Sequence, residues 1–157
     1  MSLFENSLYE YCDTFFVFLQ QENLPTAKAI EASLAELGPR YVVENVKEVD
    51  GNFVSATVRS PADFSGMDLT LVTGEEVADQ MKTLGDELRN MTLHGGAQDT
   101  LQKMLQATAR YDVFHFEEQN ANNEDEFLDP GGLLLVLQKI AATCDGIGYD
   151  PQSQDIL

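Results

Sequence analysis

The sequence predicts an α+β domain: a mixed, largely antiparallel sheet with about four helices packed on it. Three observations carry the prediction. Short runs rich in aromatic and β-branched residues are interspersed with segments whose apolar residues recur at helical spacing, in the order β-α-β-β-β-α-α-β-α-β. Asp50-Gly51 lies between two strand-like runs and signals a tight hairpin turn, hence antiparallel neighbours. Near the carboxyl end, residues 133–142 make the most apolar helix of the chain, which needs a sheet or other helices to cover it.

Residues 3–12 carry Leu3, Phe4, Leu8, Tyr9 and Tyr11 and read as a short helix or an arm on the core. Residues 14–19, T-F-F-V-F-L, have the composition of a strand buried on both faces. Pro25 opens a helix whose Ala27, Ile30, Leu34 and Leu37 fall on one stripe. Gly38 suits the left-handed position beyond its end, and Pro39 forbids continuation. Residues 41–49 and 53–59 are strands on either side of the Asp50-Gly51 turn, and the uneven alternation of the first predicts a bulge. Residues 67–73 form another strand.

Thr73 and Glu76 have capping-box spacing, each side chain closing the other's free backbone N–H. They start a helix with Val77, Met81, Leu84, Leu88 and Met91 on one stripe. Residues 97–109 form a further helix with Leu101, Met104, Leu105 and Thr108 inward. Residues 111–118, Y-D-V-F-H-F-E-E, are a strand, followed by a polar, acidic loop over 119–125. Asp129 as N-cap and Pro130 at the first helical position open the last helix. Apolar all round, this helix is expected to be buried, with Gln138 and Lys139 marking its solvent side. Gly146 ends it, and residues 147–149 make a short strand. The opening β-α-β-β segment resembles part of a ferredoxin-like unit.

A chain of 157 residues with 43% apolar content fits one domain, 1–157, with a sizeable core. The charge is extreme: 27 acids face 9 bases, for a net −18, so 27 − 9 = 18 acids lack a partner even if every base is paired. The bases are scattered singly, which argues against nucleic acid and against anionic membrane surfaces. The balance permits a basic protein partner or a cation. Cys12 and Cys144 have no metal-like spacing, and the acidic amino-terminal stretch has no basic segment before an apolar core. The expectation is a cytoplasmic protein with reduced thiols and no cofactor.

His115 and Glu117 stand two apart on a strand and therefore share a face. Such a pair can bind a divalent metal or act as base and orienter, but a metal needs further ligands, for which Glu126, Asp129 and Asp150 are the candidates. The competing reading is a half-buried histidine beside a rim carboxylate. His94 lies in L-H-G-G, where Gly95-Gly96 leads into a helix; a plain turn accounts for it, and no phosphate-binding glycine pattern is present. Asn120, Asn122, Glu124 and Glu126 place oxygens at alternate positions, but the glycine that an EF-hand loop requires is missing. No Ser/His/Asp or Cys/His nucleophile arrangement is evident.

The closing segment Gly146-Ile147-Gly148-Tyr149-Asp150-Pro151-Gln152, after its apolar helix, is similar to the end of several uncharacterised bacterial α+β families. With that helix it covers about a fifth of the chain. The resemblance implies a bacterial stand-alone domain and carries no catalytic residue. Between Tyr111 and Leu157 there are ten acids and one base, Lys139. The leading expectation is therefore a non-enzymatic binding or regulatory domain acting through an acidic surface at Glu117, Glu118, Glu124, Asp125 and Glu126, with an immunity-type inhibitor as one version. The alternatives are a small metal-dependent enzyme using His115 and Glu117, and a homo-oligomeric subunit, for instance a homodimer.

Overall fold

The aromatic run at residues 14–19 is the inner half of a longer strand, β1 (Tyr9–Leu19), preceded by a single 3-10 turn at Leu3–Glu5. The structure is a computed structural model and describes residues 2–88, 96–118 and 130–157. Helix α1 (Ala27–Ala35) follows, capped by Thr26, whose Oγ1 accepts from the Ala29 N–H at 3.0 Å. Pro25 thus precedes the cap rather than opening the helix. Ala27, Ile30 and Leu34 are buried, and Gly38 has the left-handed φ, +96°, that ends such a helix.

Strands β2 (Val42–Val49) and β3 (Asn52–Ser60) form the expected hairpin. Asp50 and Gly51 both have positive φ, +53° and +83°, the backbone shape that an Asp-Gly turn tolerates and β-branched residues resist. The expected bulge lies in β2, where the register shifts between Glu44 and Lys47 around Asn45, φ +55°. Then come β4 (Ser65–Thr73), α2 (Glu75–Leu88), α3 (Gly96–Met104), β5 (Ala109–Glu118), α4 (Pro130–Thr143), β6 (Ile147–Asp150) and a two-residue β7 (Asp155–Ile156). No helix among the described residues is long and apolar enough to cross a membrane.

The strands form one sheet in the order β2-β3-β4-β5-β1-β6-β7, and every neighbouring pair is antiparallel. The expected mixed sheet is therefore antiparallel throughout. Single helices return the chain so that β2 runs in the direction of β1, and β6 in that of β5. Strands of opposite direction always stand between such pairs. The opening segment does not close as a ferredoxin-like unit, because β4 and β5 separate the β2–β3 hairpin from β1.

The sheet has helices on both faces. Phe15, Val17 and Leu19 of β1 pack with Ile30 and Leu34 of α1 and with Val136, Leu137 and Ile140 of α4. On the opposite face Phe18 meets Val77, Met81 and Leu84 of α2 and Leu101 and Met104 of α3. The run is thus buried on both faces, as its composition implies, and each such side chain contributes about 1.5–3 kcal/mol on burial. Arg110 ties α2 to the sheet: its guanidinium donates to Asp112 Oδ1 at 2.7 Å, Gln80 Oε1 at 2.6 Å and Glu76 Oε1 at 3.0 Å.

Three local expectations are corrected. Helix α4 is one-sided: Leu133, Val136, Leu137 and Ile140 are buried, but Leu134 is 36% and Leu135 48% exposed. It rests on α1, β1 and β6, and no described element covers its outer face. Helix α2 begins after Gly74, whose carbonyl accepts from Val77 and Ala78, so the Thr73–Glu76 box is out of register and Glu76 serves Arg110 instead. Helix α3 stops at Met104, Ala109 already belongs to β5, and Thr108 is exposed, its Oγ1 accepting from the Gln21 N–H. Met91 lies outside the described residues.

Candidate functional site

The outer end of the β1–β5 ladder brings together a cysteine, a histidine and several carboxylates. Its register pairs Tyr9 with Glu118, Glu10 with Glu117, Tyr11 with Phe116 and Asp13 with His115. The register shifts between Tyr11 and Asp13, leaving Cys12 as the extra residue of a bulge. Bulges re-aim side chains, and this one turns Cys12 toward the side occupied by His115 and Glu117. The Cys12 Sγ, a His115 ring nitrogen and a Glu117 carboxylate oxygen all lie within 4.8 Å of one another. Asp13 Oδ1 stands 2.9 Å from His115 Nδ1. With Nδ1–H donating to that carboxylate, Nε2 keeps its lone pair for another partner.

The opposite side of the same end holds the ladder in place. Phe4 packs edge-on against Phe114 and Phe116, with ring centroids 5.2 Å and 4.7 Å away. Asp68 of β4 is buried and fully engaged: Ser2 Oγ and the Leu3 N–H donate to Oδ2, and Thr57 Oγ1 donates to Oδ1. Gly66 lets Leu3 approach, since a Cβ there would stand 2.8 Å from Leu3 Cδ1. The residues leading into β1 are thereby fastened to the sheet.

The electrostatics are one-signed. Glu10 and Glu117 are direct cross-strand partners, an unfavourable like-charge pairing. Asp13 stands beside them on the same face and Glu118 on the opposite one, where its Oε1 accepts from the Tyr9 hydroxyl at 3.4 Å. Elsewhere bases are committed to acids: Arg40 to Asp63, Arg59 to Glu44, Lys103 to Asp145, Arg110 to Asp112 and Glu76, and Lys139 to Glu36. Among the described residues, no Lys or Arg pairs with Glu10, Asp13, Glu117 or Glu118. Partial shielding of the thiol from water first, and then the negative charges of Glu117, Asp13 and Glu10, push Cys12, an otherwise exposed residue, up to about 11. It is protonated at neutral pH and a poor nucleophile, so the Cys12–His115 neighbourhood is no activated thiol. What such an end can do is attract and hold a cation.

Of the side chains singled out in the sequence, the structure brings His115, Glu117 and Glu118 to this end. Glu124, Asp125, Glu126 and Asp129 lie outside the described residues, as does His94. Asp150 is not part of the cluster; its carboxylate accepts from the Gln152 N–H and Ser153 Oγ in the β6–β7 turn. Cys12, Asp13 and Glu10 were not among the anticipated site residues, because residues up to 12 read as a helix or an arm. The two cysteines are free, Cys12 exposed in β1 and Cys144 buried at the end of α4. A groove of about 370 Å³ on β2, β3 and β4, lined by Asn45, Lys47, Ser55, Thr57, Asp68 and Thr70, shares no residue with the cluster.

Fold and site together define an antiparallel α+β protein with a Cys/His/carboxylate cluster at one end of its central ladder. No protein-family model matches the chain, and no curated protein or solved structure matches it either.

Proposed function

We propose that the chain is a non-enzymatic binding domain of a bacterial cytoplasm, which uses the outer end of the β1–β5 ladder to meet a basic protein. One observation carries the reading. Glu10, Asp13 and Glu117 share one face of this ladder end and Glu118 stands on the other, with no Lys or Arg paired to any of them among the described residues, while Arg40, Arg59, Lys103, Arg110 and Lys139 are tied to acids elsewhere. A field of one sign on a rigid two-stranded platform steers an oppositely charged surface toward it. Inhibition of a basic protein, in the manner of an immunity protein, is one form of this activity.

The reading is tested with a lysine-rich peptide as probe, by titration calorimetry at low and at moderate salt. The triple variant Glu10→Gln, Glu117→Gln, Glu118→Gln is compared with Glu22→Gln, Glu31→Gln, Asp79→Asn, which removes the same charge from exposed positions elsewhere. The expected result is a loss of affinity of about tenfold or more for the first and less than about twofold for the second, since rim charges act locally once salt screens them. Equal losses for the two variants would mean that net charge alone binds the peptide.

A second reading, a small metal-dependent enzyme using His115 and Glu117, has the arrival of Cys12 in its favour. It also needs a substrate-sized cavity beside the cluster, and the groove on β2–β4 is not there.

A further inference from the structure

We propose that Cys12, His115 and Glu117 form a binding site for a zinc-type divalent transition metal, with Asp13 as the outer partner that orients the histidine. Binding is the whole of the claim: it requires no catalysis, and it stands whether or not a basic protein is the partner.

The donor set comes first. One sulfur, one imidazole nitrogen and one carboxylate oxygen suit a borderline-soft ion. Calcium and magnesium take oxygen ligands almost exclusively, so an acidic patch alone would favour them, and this cluster does not. Distance comes next. Around tetrahedral zinc, with bonds of about 2.0–2.3 Å, ligand atoms stand roughly 3.5 Å apart. The three atoms here already lie within 4.8 Å of one another, so small side-chain rotations on a fixed backbone suffice. Strand pairing sets that backbone. His115 and Glu117 share a face through the period of β5, and the β1 bulge delivers Cys12 to it.

The Asp13–His115 contact is an independent argument. A histidine that ligates through one ring nitrogen characteristically gives its other N–H to a carboxylate, which fixes the tautomer and raises its basicity. Asp13 Oδ1 stands 2.9 Å from Nδ1 and takes that part when Nε2 is the ligating atom. Charge points the same way: Glu10 lies directly across from Glu117, and a dication between the strands offsets the repulsion that this pairing imposes. Cys12 is exposed, so an ion has a path in, and three protein ligands leave a fourth position for water or a further side chain.

The test uses metal ions alone with the full chain. Cobalt(II) is titrated into the reduced protein and followed by absorption, and zinc is then added as competitor. The proposal expects one cobalt per chain, a thiolate-to-cobalt charge-transfer band, the intense visible bands of tetrahedral coordination, and their loss on adding zinc. Cys12→Ser abolishes the charge-transfer band and weakens zinc by at least about tenfold. Asp13→Asn keeps the band and weakens zinc about 10–100-fold, the usual effect of removing a ligand's outer partner. Circular dichroism confirms that both variants fold, and Glu117→Gln serves as an alternative should either fail. Several weak ions per chain with no thiolate band, or zinc affinity unchanged in Cys12→Ser, would overturn the site in favour of diffuse attraction to surface acids. So would displacement of cobalt by equimolar calcium. Cys12→Ser leaves every carboxylate in place, so it should not alter binding of the lysine-rich peptide; failure of the metal site is thus separable from failure of the basic-partner reading.

Discussion

The Tyr111 hydroxyl donates to the Phe53 carbonyl oxygen at 2.8 Å, reaching from near the start of β5 past β4 to the start of β3, with the two rings 5.2 Å apart. Both residues are fully buried, and burial keeps the phenol protonated by pushing its pKa far up. Tyr111→Phe preserves the ring and leaves a buried carbonyl without this donor. It should destabilise the protein by about 1–2 kcal/mol in urea unfolding, with an unchanged m-value. A loss well below that would mean that water reaches the Phe53 carbonyl.

Helix α4 has a dry side and a wet side. Ile140 is completely buried between α1 and the sheet, whereas Leu135 is about half exposed. Ile140→Ala should cost about 3 kcal/mol, and Leu135→Gln should stay within about 0.5 kcal/mol of the parent. Similar costs for the two would show that residues outside the described set cover the Leu135 side.

Arg110 carries a charge into a nearly buried position, and its principal partner Asp112 is itself only slightly exposed. Removing the arginine strands that carboxylate. Arg110→Ala should therefore lose about 3 kcal/mol, while Glu76→Gln, at the mostly exposed partner, should lose less than about 0.5 kcal/mol. Thermal unfolding of both variants decides the point.

Much of this architecture could be read from residue order. The succession of strands and helices, the Asp50-Gly51 turn, the α1 stripe and the β2 bulge all follow from local chemistry, because each depends on residues within a turn or two of one another. Strand pairing does not. Nothing local in residues 9–13 and 115–118 says that they are neighbours, and Asp13 meets His115 from 102 positions away. Cys12 was hidden for a second reason: E-Y-C-D has too little apolar alternation to read as strand, and the bulge that aims the thiol is a property of the pairing. The one-sidedness of α4 was likewise invisible, since Leu134 and Leu135 are chemically the same as their buried neighbours. What distinguishes them is the absence of a described layer beyond α4.

Asp63 supplies a pH dependence whose sign can be worked out. The hydrogen bond from Arg40 holds its carboxyl below the usual value of 3.8; partial burial opposes this, and the Ser60 hydroxyl adds to the lowering. A carboxylate with a depressed folded pKa contributes stability above its unfolded pKa and loses it as pH falls through the folded value. Asp63→Asn should therefore cost about 1 kcal/mol near neutral pH, a modest figure because Arg40 is half exposed. The gap from the parent should close below about pH 4. A gap that persists or widens in acid would contradict this account of the pair.

The central claim is that the outer end of the β1–β5 ladder is where this protein meets positive charge. Backbone amide NMR shifts recorded while a lysine-rich peptide is added test it most directly. The account predicts that the shifts concentrate at residues 9–13 and 115–118 and fade as salt is raised. Shifts scattered evenly over the acidic surface, or centred on the β2–β4 groove, would contradict it.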